Sequence, residues 1–245
     1  MTDDKTILIT GASSGIGACA SRRLLGMGYR VIGLGRRFDQ DLVADTRFIK
    51  VELDLSGVRQ LPAEFDRLSR KFPEISAILC CAGVGRFGAL EQFSCAQIDE
   101  LVHVNFLSHV YLLRAWLPLM KRRRQGRVIL IGSEAALAGA RYGAVYCATK
   151  FALRGLAQAL REECAAAGIS ITMINPGMVR TGFFDTLDFK PGPAAENALT
   201  ADDVVDAVCQ VLAQPAHCVT DEINLSPLKK VIQRQGAPNT PESGG

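Results

Sequence analysis

Tyr146 and Lys150 stand four residues apart at the start of a strongly helical stretch. Residues at i and i+4 share a helix face, so the phenol and the ammonium lie side by side. A phenol titrates near ~10 and is a poor acid or base at neutral pH. A neighbouring cation favours the phenolate and brings that value down, which makes the pair a candidate proton donor. Tyr142 is also four residues from Tyr146 but eight from the lysine, so only Tyr146 has the cation beside it. Taken alone, the pair also fits an ordinary helix surface. Ser133 closes the β-rich run Arg127-Val-Ile-Leu-Ile-Gly-Ser133, at the carboxyl edge where open α/β sheets bind ligands. Asn105 lies inside a predicted helix, Leu101-Val-His-Val-Asn105-Phe, a place that disfavours asparagine unless it serves a water or a backbone carbonyl. Carbonyl reduction builds negative charge on oxygen, and a positioned hydroxyl with a matched acid can stabilise it.

The N-terminus carries a second constellation. Directly after the first predicted strand comes Thr10-Gly11-Ala-Ser13-Ser14-Gly15-Ile16-Gly17, which opens the first helix. Gly11 and Gly15 let the backbone turn tightly and approach a pyrophosphate. The helix then points its unpaired N–H groups and positive dipole end at that anion. Gly17 allows helix and strand to pack closely. A structural turn with no ligand is the plain alternative. The adenosine end is read about 20 residues further on, at the tip of the second strand. An acidic side chain there would bind a ribose 2′-hydroxyl, but this chain has Gly35-Arg36-Arg37. A guanidinium suits a 2′-phosphate by charge and by bidentate geometry. NADP(H) is therefore the expected cofactor, with Arg36 the main contact and Arg37 a second or stacking one; solvated surface arginines are the alternative. Asp54, followed by Leu55, is a candidate partner for the adenine amino group, with helix capping in even competition.

Short β-rich runs alternate with longer helical patterns almost from end to end. The predicted strands are 6–10, 30–34, 47–53, 77–81, 127–132, 170–174 and 219–225; the predicted helices are 15–27, 59–72, 94–124, 144–167 and 201–213. Nearly continuous apolar strands and alternating β and α elements predict a single α/β domain, a doubly wound parallel sheet with helices on both faces. Only about a dozen residues separate the second and third strands, too few for a full helix. Residues 178–200, with Phe183, Phe184, Leu187 and Phe189, read as a long loop that closes over an apolar substrate. Residues 236–245 read as a frayed tail. The chain has 245 residues, 48% hydrophobic and 22% charged, and 28 basic against 25 acidic side chains leave +3. That balance excludes a wholesale nucleic-acid binder and a disordered chain. No apolar run nears the roughly 18 residues of a membrane span. The acidic start lacks the layout of a secretion signal, and eight scattered cysteines read as reduced thiols, so a cytoplasmic setting is expected.

These motifs together resemble the short-chain dehydrogenase/reductase family, in its one-domain form of about 250 residues. The resemblance runs from Lys5 to about Pro227 and rests on Thr10 to Gly17, Cys80-Cys-Ala82-Gly83, Asn105, Ser133, Tyr146-Cys-Ala-Thr-Lys150 and Asn175-Pro176-Gly177-Met-Val179-Arg-Thr181. The thirteen-residue interval from serine to tyrosine matches the family's usual one. The resemblance implies a Rossmann-like sheet of about seven strands and an oxidoreductase acting on CH–OH or carbonyl groups. Tyr146 would be the general acid and Ser133 would hydrogen-bond the same substrate oxygen. Lys150 would hold the nicotinamide ribose hydroxyls and Asn105 would support a water. Pro176, Gly177, the Val179 backbone and the Thr181 hydroxyl would line the carboxamide end. Cys80-Cys81 stand where the family usually has Asn-Asn. Ala82 and Gly83 still allow close backbone approach, and the hydrogen bonding that anchors the loop is what the change affects. Ser14 stands where some NADPH enzymes place a basic residue, so phosphate recognition leans on Arg36 and Arg37.

Other features are read more plainly. The basic run 121–127 is expected to be solvated charge at a helix end. His103, His109 and His217 share no metal spacing, so no metal is expected. The apolar face of 101–120, with Trp116, is wider than a simple surface helix needs; packing in the core alone accounts for it, and the resemblance implies a homodimer or homotetramer interface there. Arg86 and Arg141 could pair with a substrate carboxylate, although surface charge is the plainer reading. The expected activity is reversible NADPH-dependent reduction of a partly apolar aldehyde or ketone. Its rivals are a non-catalytic NADP(H)-sensing protein, a hydroxy-acid dehydrogenase, and an epimerase or dehydratase.

Overall fold

The computed structural model describes residues 5–57 and 59–234. Nine strands lie in chain order: β1 (Thr6–Thr10), β2 (Arg30–Gly35), β3 (Phe48–Glu52), β4 (Ala77–Cys80), β5 (Gly126–Ile131), β6 (Ile169–Pro176), β7 (Phe189–Pro191), β8 (Glu222–Leu225) and β9 (Ile232–Arg234). The helices are α1 (Gly15–Gly26), α2 (Gln40–Ala44), α3 (Leu61–Lys71), α4 (Cys95–Val102), α5 (Ser108–Arg123), α6 (Ala144–Ala165) and α7 (Ala201–Ala213). Seven strands form one parallel sheet in the order β3-β2-β1-β4-β5-β6-β8.

Burial explains the strand patterns. The central strands β1, β4 and β5 are apolar almost throughout because helices cover both faces. At the sheet edges, β3 and β8 carry half-buried and exposed residues instead. One face is packed by Leu61, Phe65 and Leu68 of α3, Leu112 and Trp116 of α5, and Leu153 and Cys164 of α6. The other is packed by Leu24 of α1, Leu42 of α2 and Val204 and Val208 of α7. The order in which strands are added reverses between β1 and β4, so the crevice at the carboxyl ends opens there, as open α/β sheets require.

Four departures from the sequence reading have physical causes. The predicted helix 94–124 is interrupted by a π turn at His103–Leu107, where the Asn105 side chain is fully buried and bonded to another loop. A short helix, α2, fills the tight β2–β3 connection. The predicted lid is partly ordered by β7, which pairs antiparallel with β9 of the C-terminal segment. The basic run is engaged rather than only solvated: Arg123 donates to the carbonyls of Pro73 and Ile75, Arg124 to Ala166, and Arg127 to Val211 and Gln214. Trp116 is wholly buried in the core, its indole N–H donating to Phe72 at 3.1 Å. All eight cysteines are free; Cys80, Cys147 and Cys164 are buried, while Cys95 and Cys218 are exposed. The tail 236–245 lies outside the described residues. No helix among the described residues is long and apolar enough to cross a membrane.

Candidate active site

The loops leaving β1 and β4 meet backbone against backbone. Gly11 has φ +68°, and a Cβ there would stand 3.0 Å from Ala82 Cα. The Thr10 hydroxyl accepts the N–H groups of Cys81 at 3.0 Å and Ala82 at 3.1 Å. A Cβ on Gly17 would reach 2.2 Å from the Gly11 carbonyl oxygen, so helix α1 packs on its own entry turn only with glycine there. Gly15 faces the Thr181 side chain at 3.5 Å, which brings the loop after β6 to the same turn.

These residues fit a dinucleotide. At the N-terminus of α1, Ser14 makes no side-chain capping bond and the first turn has no acidic residue, leaving the helix's positive end to an anion. Ser13 packs behind Gly35, and Ile16 against the core. Arg36 and Arg37 are exposed just beyond β2, and neither makes a salt bridge among the described residues. Asp54 accepts the N–H and the hydroxyl of Ser56, each at 2.9 Å. The Ser56 N–H holds its carboxyl below the usual range, with Arg36 adding to the effect. Leu55 and Val179 are buried; the Thr181 hydroxyl accepts the Phe183 N–H and itself approaches the Val179 carbonyl at 3.4 Å. Gly177, following Pro176, donates its N–H to the Leu225 carbonyl at 2.7 Å.

The proton-handling residues converge on this crevice. Tyr146 and Lys150 are both buried in α6. Ser133 follows β5, accepts the Ala135 N–H at 3.1 Å and lies near enough to the Tyr146 hydroxyl to favour its ionised form. Lys150 Nζ donates to the Ile131 carbonyl at 3.2 Å and stands 3.5 Å from where a Cβ on Gly83 would lie. Asn105 accepts the Val84 N–H at 2.8 Å and donates to the Val84 carbonyl at 3.0 Å and the Thr149 hydroxyl at 3.2 Å. Thr149 in turn donates to the Tyr146 carbonyl at 2.7 Å. The sequence reading passed over Thr149; a hydroxyl between Tyr146 and Lys150 was its only signal.

Electrostatics revise one expectation. Burial pushes Tyr146 up to about 12, and the Ser133 hydroxyl pulls the other way without prevailing. The Lys150 ammonium stands 5.8 Å from the centre of the Tyr146 ring and does not offset that burial. Lys150 itself is lowered to about 8 by burial. The desolvation has a visible source. Phe87 lies 5.1 Å from the Tyr146 ring and 5.0 Å from Phe189, and Phe183 lies 6.0 Å from Tyr146 on the other side. Phe184 contacts both Phe183 and Phe189, completing an aromatic cover. Leu187 is half-buried in the same loop.

Arg86 and Arg141 are engaged locally. Arg86 pairs with Glu100 at 3.5 Å, and Arg141 stacks on Tyr142 and donates to its hydroxyl at 3.0 Å. Glu134 pairs with Lys230 of the C-terminal segment. Among the described residues no three His, Cys, Asp or Glu side chains group as a metal site.

Sheet order and crevice define a Rossmann-like fold of the kind that binds dinucleotides. The family model for short chain dehydrogenases matches residues 5–190, and the chain belongs to that family. An uncharacterised oxidoreductase of Staphylococcus epidermidis is 28% identical over 233 residues, covering 92% of this chain and 98% of its own. A serine dehydrogenase complexed with NADP+ superposes with TM-score 0.77 at 26% identity, over 90% of this chain and 94% of that one. An alcohol dehydrogenase from the archaeon Thermococcus sibiricus, complexed with 5-hydroxy-NADP, gives 0.79 at 26% identity, over 96% and 99%.

The buried ammonium predicts a pH-dependent stability difference. Lys150 binds its proton less tightly folded (about 8) than its ordinary value of 10.5. The unfolded chain therefore holds more protons between those values, and this group's contribution to stability rises with pH there. Lys150→Met is expected to be more stable than the native chain at pH 6.5, with the advantage shrinking by pH 9.5. Urea midpoints at the two pH values check this; an advantage that stays constant contradicts it.

Proposed function

We propose that the protein catalyses reversible NADPH-dependent reduction of an aldehyde or ketone. The observation that carries this reading is the placement of Ser133 beside the buried Tyr146 and Lys150, at the rim of a crevice that fits a dinucleotide. When bound, the reduced nicotinamide supplies the hydride.

The chain's own residues would then divide the work. The glycine turn and the α1 N-terminus bind the pyrophosphate, and Arg36 with Arg37 take the 2′-phosphate. Asp54 and Leu55 border the adenine, Ala82 and Gly83 the ribose side, and Pro176, Gly177, Val179 and Thr181 the carboxamide. The neighbours that carry NADP support the phosphorylated cofactor. Lys150 donates to the ribose hydroxyls, and Ser133 and Tyr146 both hydrogen-bond the substrate oxygen. A phenol lifted to about 12 stays protonated across the working range, so Tyr146 is present as the acid that the reductive direction needs. Phe87, Phe183, Phe184 and Phe189 around the hydroxyl favour an apolar substituent on the carbonyl and exclude water from the transfer. A cofactor-sensing protein without turnover has no need of the three groups, and all are in place.

Three measurements test the reading. Tyr146→Phe keeps the ring and removes the proton; kcat is expected to fall ~10²–10⁴-fold, with the NADPH dissociation constant little changed, and near-normal turnover ends the assignment. Arg36→Ala is expected to cut the kcat/KM preference for NADPH over NADH by roughly 10–100-fold, the worth of a charge-assisted hydrogen bond; native protein that prefers NADH removes the cofactor step. Across straight-chain aldehydes, kcat/KM is expected to rise with chain length, and a fall refutes the apolar cover as the substrate's contact.

A further inference from the structure

Cys80 ends β4 and Cys81 opens the loop after it, and neither side chain forms a hydrogen bond among the described residues that could hold that loop. Its backbone is nonetheless fixed from three directions. Thr10 of β1 holds the Cys81 and Ala82 N–H groups, and Asn105 of the π turn holds both polar groups of Val84. The remaining anchor comes from α5, where the His109 ring reaches the Ala82 carbonyl oxygen at 3.0 Å through Nε2.

That contact fixes the chemistry of the ring. A carbonyl only accepts, so Nε2 carries the proton and donates it, and Nδ1 is the bare nitrogen. His109 is wholly buried, and Nδ1 has no hydrogen-bond partner among the described residues. A buried imidazole with one nitrogen unpaired costs more than an apolar side chain filling the same space. The bond to Ala82 is the only polar contact that offsets this. Besides burial, the groups that act on the ring are the Lys150 ammonium, which disfavours its charge, and the Ala82 carbonyl, which favours it. Burial and that ammonium push the imidazole down to about 4, so it stays neutral, in the one-donor form, at any ordinary pH.

We propose that His109 is a positioning residue for dinucleotide binding: its Nε2–H holds the Ala82 carbonyl, and so sets the shape of the Ala82–Gly83 backbone against Gly11 and Lys150. The consequence for binding rests on the reading of this crevice as the NADP(H) site; the consequence for the loop does not. Ala82 is where the two crevice loops touch, with its Cα 3.0 Å from the Cβ that Gly11 lacks. Gly83 is where a side chain would meet both Asn105 and Lys150 at 3.5 Å. A tilt of that peptide would move the surface offered to the cofactor without moving a catalytic group.

Two variants test this. His109→Leu removes the donor and keeps the bulk; His109→Gln places an amide N–H close to the Nε2 position. In the free protein, amide exchange at Ala82, Gly83 and Val84 is expected to speed up roughly tenfold or more in His109→Leu, as expected for a lost hydrogen bond to a buried acceptor, and to return near the native rate in His109→Gln. NADPH binding, followed by nicotinamide fluorescence, is expected to weaken by roughly tenfold in the leucine variant with kcat at saturation within about twofold, and to recover in the glutamine variant. Unchanged exchange in His109→Leu overturns the inference whatever the binding shows. Equal losses in both variants also overturn it, since packing rather than the donor would then be responsible. Altered exchange in a protein whose native form binds neither NADPH nor NADH leaves the loop role standing and overturns its consequence for binding together with the functional reading.

Discussion

Lys150 is a cation inside the protein that no carboxylate among the described residues pairs with. It is 4% exposed, its one hydrogen bond among the described residues goes to the Ile131 carbonyl, and the titratable groups near it are the Cys81 thiol, itself pushed up to about 12, and the neutral His109 ring. Burying an unpaired ammonium costs several kcal/mol even after relaxation. A structural lysine would be paired or turned outward. This one is held at the bottom of a crevice, where the missing partners can be supplied only by something that enters. Neutral hydroxyls suit such a site better than an acid, because a permanent carboxylate would satisfy the charge and close the position. The cost is carried by the two cores on either side of the sheet, which bury the central strands almost completely.

That constraint orders the rest of the crevice. The ammonium must face a backbone close enough to shape its surroundings, and Gly83 allows this because it has no side chain. Gly83 keeps its place only if the loop after β4 is held, and its anchors come from β1, the π turn and α5. Asn105 then links the same loop through Thr149 to the Tyr146 backbone. The π turn belongs to this chain of bonds. An ordinary helix would not put a buried amide side chain on Val84, and the widened turn is the local concession that permits it. Cofactor loop and proton-handling helix are thereby one connected polar network, in which loss at one bond leaves buried groups unpaired elsewhere.

What could be read from the chain follows from how each feature is encoded. Central strands announce themselves because burial on both faces demands unbroken apolar runs, and the predicted strands 6–10, 77–81 and 127–132 match within a residue or so. Glycine turns and the serine, tyrosine and lysine spacings are local, so they too were legible. Edge strands were less so: the last strand was read as 219–225 but only 222–225 pairs, because the register of an edge is set by one neighbour. Long-range contacts left no local trace. The β7–β9 ribbon joins residues more than forty apart, Arg123 and Arg127 spend their charge on carbonyls from other elements, and His109 looked like any core histidine. The direction of the Tyr146 shift was misread for the same reason. Sequence spacing shows the lysine one turn away, but the aromatic cover comes from Phe87, Phe183 and Phe189 on two distant loops.

Two effects therefore compete at the phenol, and their ranges differ. A cation acts over several ångströms and weakens where water enters, whereas desolvation depends on whether the cover is in place. With Phe87 and Phe183 packed on either side of the ring, burial prevails and the hydroxyl keeps its proton. Opening the cover admits water, relaxes the desolvation and lets the lysine weigh more. A protonated phenol under a closed cover suits giving up a proton to a nascent alkoxide; a phenolate suits taking one from an alcohol. The burial that decides the phenol's form in this structure comes from Phe87 and Phe183, and the loop that carries Phe183 runs on into the β7–β9 pairing, far in sequence from the lysine that the spacing alone singles out.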